Sequence, residues 1–131
     1  MRTMQSSHLL ATVSPETVGA AESPLRVELS DGGSAWLLVE EGVTVAYRNL
    51  CPHLDAPLDG CDDDTWEPNE RLLVCSFHGA TFAARDGRCI DGPCRGSRLE
   101  QLEVSATDAG LELRTAPLLQ LNLLTPRPGR P

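Results

Sequence analysis

The sequence of 131 residues contains no lysine, few aromatic residues and no long hydrophobic run. Its eleven cationic residues are all arginines, nineteen acidic residues outnumber them, and the net charge is -8. Because surfaces that bind nucleic acid are basic, this balance argues against DNA and RNA as partners. No run reaches the roughly 18 apolar residues of a membrane-spanning helix, so we expect no membrane span.

The N-terminal region also lacks the features of an export signal. Its apolar stretch, residues 9–13, is too short for the core of a signal peptide, and no pair of arginines precedes it. We therefore expect a cytoplasmic protein. In that reducing compartment, five cysteines are more typical of metal ligands or thiols than of a disulfide framework.

Short segments of alternating apolar and polar residues dominate the chain. In residues 111–115, for example, leucines alternate with Glu112 and Arg114, which is the period of a half-buried antiparallel strand. Strands are predicted at residues 25–29, 35–40, 43–48, 71–75, 80–84, 99–105 and 111–115, with a possible further strand at 8–13. Because no long stretch has a helical period, the predicted class is all-β, an antiparallel sandwich or barrel.

This pattern divides the chain into three parts. They are an N-terminal segment with one possible strand, a β domain and a C-terminal tail, at residues 1–24, 25–116 and 117–131. Ser14 and Pro15 are expected to interrupt regular structure in the first part. Within the domain, residues 49–94 contain the irregular loops in which function usually lies.

Two of the three histidines lie within three residues of a cysteine, in the segments Cys51-Pro-His53 and Cys75-Ser-Phe-His78. Each pair follows a predicted strand, at the point where a loop begins. Beyond the cysteine and the histidine, the two loops share no evident pattern. Two hairpin-like loops would thus present one thiolate and one imidazole each to a shared centre.

Two thiolates and two imidazoles suit either tetrahedral zinc or an iron–sulfur centre. Structural zinc sites usually pair Cys with Cys in one loop and His with His in another, whereas here each loop has one of each. A two-iron cluster with both cysteines on one iron and both histidines on the other fits two such loops directly. A structural zinc-binding interaction module, which would be colourless, remains the alternative.

The residues around these pairs resemble the Rieske [2Fe–2S] domain family. Three segments carry the resemblance: Cys51-Pro-His53-Leu-Asp, Cys75-Ser-Phe-His78-Gly-Ala-Thr-Phe82 and Gly87-Arg-Cys-Ile-Asp-Gly92-Pro93. The sequence is most similar to the soluble Rieske ferredoxins that supply bacterial ring-hydroxylating dioxygenases. The resemblance implies an antiparallel β core with two ligand loops and a proline loop at one tip.

The resemblance also implies one [2Fe–2S] cluster and assigns roles to eight residues. The cysteines would bind the buried iron and the histidines the outer iron near the surface, so that the ligands are Cys51, Cys75, His53 and His78. Four neighbours would shape the second loop or shield the cluster, namely Leu54, Gly79, Phe82 and Pro93.

This chain departs from the high-potential members of the family at two pairs of positions. Those proteins join the loops by a disulfide, which Ala56 and Phe77 cannot form here. They also direct a Ser and a Tyr hydroxyl toward the cluster, where this chain has Ala80 and Phe82. Because fewer donors leave the charge of the reduced cluster less stabilised, we expect a potential in the lower part of the Rieske range of about -150 to +300 mV.

The implied function is one-electron transfer from a flavin-dependent NAD(P)H reductase to a terminal oxygenase, with no catalysis by the chain itself. The alternative is a permanent Rieske subunit of a larger oxidoreductase, such as the small subunit of a nitrite reductase. Only His8 remains beside the loop histidines, so the two-His-one-carboxylate iron site of a catalytic oxygenase subunit cannot be assembled.

We also expect particular positions or roles for several residues outside the motif. Trp36 is expected in the core, and Trp66 is expected to pack down an acidic loop at residues 59–70. That loop is either solvated surface or a docking patch for a basic partner. The remaining cysteines are expected to act as small buried hydrophobes, although Cys89 and Cys94 are close enough in sequence to bond; they are Cys61, Cys89 and Cys94.

Overall fold

A computed structural model of the protein describes residues 8–20, 23–52, 56–60, 65–76, 79–92 and 96–115. The described part contains ten strands and one short helix. The strands are β1 (Leu9–Val13), β2 (Leu25–Glu28), β3 (Ser34–Glu40), β4 (Val43–Arg48), β5 (Trp66–Glu67), β6 (Leu72–Val74), β7 (Thr81–Ala83), β8 (Cys89–Asp91), β9 (Gln101–Thr107) and β10 (Gly110–Thr115). The helix α1 (Pro15–Ala20) lies between β1 and β2.

Six strands form a main antiparallel sheet in the order β1-β10-β9-β4-β3-β2. Its two outer strands meet, because the Ser30 N–H, just beyond β2, donates to the Leu10 carbonyl oxygen of β1 at 2.9 Å. The sheet is therefore nearly closed, which leaves little unpaired strand edge.

A second antiparallel sheet, in the order β5-β6-β7-β8, is inserted in the chain between β4 and β9. Its strands are only two or three residues long. Strands this short need packing against a larger sheet to be stable. Of the three segments that resemble the Rieske motif, the first begins three residues after β4, and the other two lie between the end of β6 and the start of β9.

The core consists of two apolar clusters, and the second of them joins the two sheets. One lies within the main sheet and includes Leu10, Leu37, Ala46, Leu102 and Leu113. The other lies between the sheets and includes Trp36, Tyr47, Leu58, Leu73, Phe82 and Leu99. The Tyr47 hydroxyl donates to the Ala84 carbonyl oxygen at 2.7 Å and so ties β4 to the end of β7. Burial raises the pKa of Tyr47, so this hydroxyl stays protonated.

The all-β class is confirmed, and three short elements are additions to the predicted set. Ser14 and Pro15 do end β1, but they also begin α1, since the Ser14 carbonyl accepts the Thr17 N–H at 3.1 Å and proline suits a first helical position. Strands β5 and β8 are too short for alternation to show in the sequence. Trp36 is in the core as predicted, at 8% exposure.

The described part of the N-terminal segment packs on the main sheet. Strand β1 pairs with β10, and Val18 of α1 is buried in the cluster of the main sheet. The predicted tail, residues 117–131, lies outside the described residues. Within the described ranges, no helix is long and apolar enough to cross a membrane.

Candidate metal centre

The first loop of the candidate site begins at Cys51, three residues after β4. The Cys51 N–H donates to the Ala56 carbonyl oxygen at 2.7 Å, and the two residues form an isolated β-bridge. This bond joins the two ends of the first loop. The Cys51 residue is 1% exposed and belongs to the cluster between the sheets.

The second loop begins at Cys75, directly after β6. The Cys75 N–H donates to the Ala80 carbonyl oxygen at 2.8 Å, and the Cys75 carbonyl accepts the Gly79 N–H at 2.9 Å. Gly79 has a φ of +74°, a conformation that glycine adopts without strain. Cys75 is 1% exposed and lies in the same cluster as Cys51.

The two loops are more alike than the sequence analysis indicated. In each, the cysteine N–H donates to the carbonyl of an alanine five residues later, Ala56 in one loop and Ala80 in the other. The expectation that the loops share only Cys and His is therefore wrong. The repeated spacing from Cys to Ala was the available signal, and it marks two equivalent loop closures.

A buried backbone segment joins the two loops. The Leu58 N–H donates to the Asn49 Oδ1 at 2.8 Å, and the Leu58 carbonyl accepts the Ser76 N–H at 2.7 Å. Leu58 is fully buried. Asn49 precedes Cys51 by two residues and Ser76 follows Cys75, so Leu58 connects the base of one loop to the base of the other. This contact was not predicted from the sequence.

The third loop, which is the predicted proline loop, begins at Gly92, and Gly92 contacts Ala80 of the second loop. A Cβ atom placed on Gly92 would lie 2.6 Å from the Ala80 Cα, and the φ of Gly92 is +108°. Only a glycine therefore lets the two loops approach this closely. Pro93, the predicted shield, lies outside the described residues.

Of the other predicted site residues, some lie among the described residues and some lie outside them. Phe82 is fully buried in the same cluster as the two cysteines. His53, His78 and Leu54 lie outside the described residues. Their neighbours Pro52 and Gly79 are exposed, in contrast to the buried cysteines. In the described part of each loop, a buried thiol and an exposed residue thus lie close together in sequence.

The donor set fits an iron–sulfur centre. Cys51 and Cys75 are not in disulfides, and thiolates are the soft ligands that such centres and zinc prefer. Within the described ranges, no group of three or more His, Cys, Asp or Glu residues could hold a metal ion. A complete site at these thiols would therefore require ligands from the undescribed parts of the loops, where His53 and His78 lie.

Cys89 is a separate buried thiol rather than part of a disulfide. It is 3% exposed, and its Sγ donates to the Asp91 carbonyl oxygen at 3.3 Å. The prediction of a small buried hydrophobe is confirmed for this residue. Cys61 and Cys94 lie outside the described residues.

The acidic loop is described only at its two ends, and Asp62, Asp63 and Asp64 lie outside the described residues. Trp66 is half-buried against the cluster between the sheets, so it does pack down this part of the chain as predicted. The Arg71 guanidinium lies over its indole ring, 5.1 Å from the ring centroid, in a cation–π contact.

Comparison with protein families gives one match, to the family described as "Rieske [2Fe-2S] domain", over residues 9–114. This range contains β1 to β9, all of β10 except its last residue, and both candidate loops. No curated protein matches the sequence significantly.

Solved structures with this fold include carriers and enzymes. The ferredoxin of carbazole 1,9a-dioxygenase from Nocardioides aromaticivorans IC177 is 21% identical, with a TM-score of 0.56 over 86% of this chain and 98% of that one. The Sphingomonas yanoikuyae B1 ferredoxin is 22% identical, with a TM-score of 0.54 over 85% and 99%. The terminal oxygenase of carbazole 1,9a-dioxygenase from Novosphingobium sp. KA1 is 20% identical, with a TM-score of 0.58 over 86% of this chain and 30% of that one. At these identities, the likeness establishes the fold alone.

Proposed function

Because this chain belongs to the Rieske [2Fe–2S] domain family and so carries one Rieske-type two-iron cluster, we propose that it is a soluble, cytoplasmic one-electron carrier, a Rieske-type ferredoxin. The observation behind the proposal is the pair of buried thiols, Cys51 and Cys75, at the bases of two equivalent loops. The fold that presents them matches nearly the whole length of two ferredoxins. One-electron transfer is the chemistry that such a cluster supplies.

The proposed ligands are Cys51 and Cys75 on the inner iron and His53 and His78 on the outer iron. Burial supports the first pair, since both cysteines are 1% exposed. Exposure of the adjoining Pro52 supports a surface position for the second pair. Electrons would enter and leave at the histidine side, because transfer between proteins needs a redox centre close to the surface.

Apolar side chains on the inner side of the site exclude water from the thiolates. Leu58 and Phe82 are fully buried in the same cluster as the cysteines, and Ala80 is fully buried beside the third loop. Apolar packing on one side of the site and a solvent-exposed surface on the other suit a carrier. The protein then shields the cluster while leaving one face open to a partner.

The proposed partners are a flavin-dependent NAD(P)H reductase as donor and a terminal oxygenase as acceptor. Structural likeness to a ferredoxin of a dioxygenase system supports the acceptor. The net charge of -8 favours basic docking surfaces on both partners, because opposite fields accelerate encounter. In this role, the chain is an electron-transfer component and not a catalyst.

The experiment that tests the carrier function is spectroscopy of protein purified without oxygen, before and after dithionite. A brown protein that bleaches and gives an EPR signal of low average g on reduction would support the Cys₂His₂ two-iron centre. A colourless protein with one zinc per chain would overturn the proposal. Co-purification with a large partner in fixed stoichiometry would instead indicate a permanent oxidoreductase subunit.

Neutralising the acidic loop should slow electron transfer. Asp62, Asp63 and Asp64 add three negative charges between the two loops in the sequence, so replacing them with Asn should lower the rate of reduction by a basic reductase at low salt. The control variant is Glu41→Gln, on the β3–β4 turn at the end of β4 away from Cys51. Equal rates and equal salt dependence in all three proteins would remove the docking role.

The midpoint potential should lie in the lower part of the Rieske range. Ala80 and Phe82 are fully buried and offer no hydroxyl at the positions where the high-potential members have Ser and Tyr. The reduced cluster therefore gains less hydrogen-bond stabilisation. A redox titration followed by visible circular dichroism measures this, and a midpoint well above zero would contradict it.

A further inference from the structure

Asn49 is a buried polar residue at the base of the first loop. Its side chain and backbone make four hydrogen bonds, although the residue is only 3% exposed. Its N–H donates to the Ser34 carbonyl at 2.8 Å, its Nδ2 donates to the Ser34 Oγ and the Asp59 Oδ1 at 3.1 Å each, and its Oδ1 accepts the Leu58 N–H at 2.8 Å. A buried amide with every polar atom paired has one strongly preferred orientation.

The last of these bonds connects the loops that contain the two buried thiols. From Asn49, the connection passes through the Leu58 backbone to the Ser76 N–H at 2.7 Å. It therefore runs from two residues before Cys51 to one residue after Cys75, and both of its hydrogen bonds involve fully buried Leu58. We call this path, Asn49–Leu58–Ser76, the loop brace.

A surface ion pair supports the loop brace from outside. The Asp59 carboxylate, whose Oδ1 accepts from Asn49, also accepts from the Arg26 Nε through its Oδ2 at 2.9 Å. The Asp59 side chain is 15% exposed and the Arg26 side chain is 42% exposed. Asp59 therefore fixes the Asn49 amide so that its oxygen, and not its nitrogen, faces the Leu58 N–H.

We propose that Asn49 is a positioning residue for the cluster, which acts through the loop brace to set the relative position of Cys51 and Cys75. The proposal rests on the ligand assignment made above, in which both cysteines bind one iron. A change in the separation of the two loops would then change the geometry of the thiolates around that iron. Asn49 acts through the backbone of Leu58 and Ser76, so its effect on the thiolates is indirect.

The test exchanges the amide and the carboxylate between positions 49 and 59. In Asn49→Asp, the carboxylate still accepts from Leu58 but opposes the Asp59 carboxylate, so we expect loss of iron to a chelator to be about tenfold faster, as for one lost buried hydrogen bond, and altered g values in the reduced protein. In the double variant with Asp59→Asn, the new amide donates to the new carboxylate, and both properties should return toward those of the unmodified protein. Asp59→Asn alone can still accept from the Asn49 Nδ2 through its amide oxygen but loses the ion pair with Arg26, whose side chain is 42% exposed, so its effect should be smaller than that of Asn49→Asp.

The matched control is Tyr47→Phe. This variant removes another buried hydrogen bond, from the Tyr47 hydroxyl to the Ala84 carbonyl, which lies outside both loops. It should lower the melting temperature of the protein and leave the g values and the midpoint potential unchanged. A general loss of stability is thereby distinguished from a change at the cluster.

The spectrum of the unmodified protein tests the ligand assignment, and only the variants test the positioning role. If the unmodified protein gives the Rieske EPR signal, normal g values and normal iron retention in Asn49→Asp would overturn the role of Asn49, and so would an equal change in g values in Tyr47→Phe. If Asn49→Asp does not fold, the double variant decides. Recovery of the native signal would support the role of Asn49, and failure to recover it would overturn that role.

Discussion

Replacing Cys75 with Ser is expected to abolish the visible absorption of the protein and to lower its iron content by about tenfold or more. A serine oxygen is a harder ligand than a thiolate and stays protonated at neutral pH, so it does not replace the sulfur. Because Cys75 is 1% exposed and closed in by its bond to Ala80, neither water nor another side chain can take its place without opening the loop. Cys51→Ser should have the same effect, since its loop is closed in the same way. Iron content and absorption of anaerobically purified protein measure the result.

Cys89→Ser is the matched control for this prediction. Cys89 is also a buried thiol, at 3% exposure, and it lies on β8 outside both loops. A serine hydroxyl can keep the bond that its Sγ donates to the Asp91 carbonyl. This variant should therefore retain its iron and its colour. Similar iron loss in the Cys89 and Cys75 variants would point to misfolding, and full iron retention in Cys75→Ser would refute its assignment as a ligand.

Strands were predictable from the sequence where turn residues marked their ends. The predicted strand at residues 43–48 agrees with β4 at both ends, although it is buried on both faces: Val45 and Tyr47 lie in the cluster between the sheets and Ala46 lies in the cluster of the main sheet. The predicted strand at 99–105 begins two residues too early. Leu99 is buried like a strand residue, but its N–H donates to the Gly87 carbonyl at 2.8 Å and so pairs with the insertion rather than with the main sheet. A contact between distant segments determined that boundary, and local pattern does not record such contacts.

The two thiols of the candidate site could be predicted from the sequence, but the hydrogen bonds that join their loops could not. Cysteine chemistry and spacing identified Cys51 and Cys75, and the structure places both in one buried cluster. The loop brace depends on backbone groups of Leu58 and Ser76, and every residue has such groups whatever its side chain. Asn49 was the one side chain that could have indicated it, since a buried amide before a loop requires partners.

The second large effect is expected from Gly92→Ala. The new Cβ would lie 2.6 Å from the Ala80 Cα, which is closer than side-chain atoms approach a backbone, and φ at this position is +108°. Ala80 cannot retreat freely, because it is fully buried and its carbonyl accepts the Cys75 N–H. The third loop and the second ligand loop must therefore move apart. We expect a loss of about 2–4 kcal/mol in the free energy of unfolding, from backbone strain and overpacking together, and faster bleaching of the cluster on heating.

Gly96→Ala separates these two causes. Gly96 also has a positive φ, +97°, but an added Cβ would meet no atom within 4 Å. This variant should show only the cost of the backbone conformation, about 1 kcal/mol, and should keep the cluster as long as the unmodified protein does. Thermal unfolding followed in parallel by far-ultraviolet circular dichroism and by visible absorption measures both quantities. If the two variants lose stability and colour equally, the contact between Gly92 and Ala80 does not hold the second ligand loop in place. If only Gly92→Ala loses its colour early, the approach of the third loop to Ala80 is part of what holds Cys75, the proposed ligand, at the cluster.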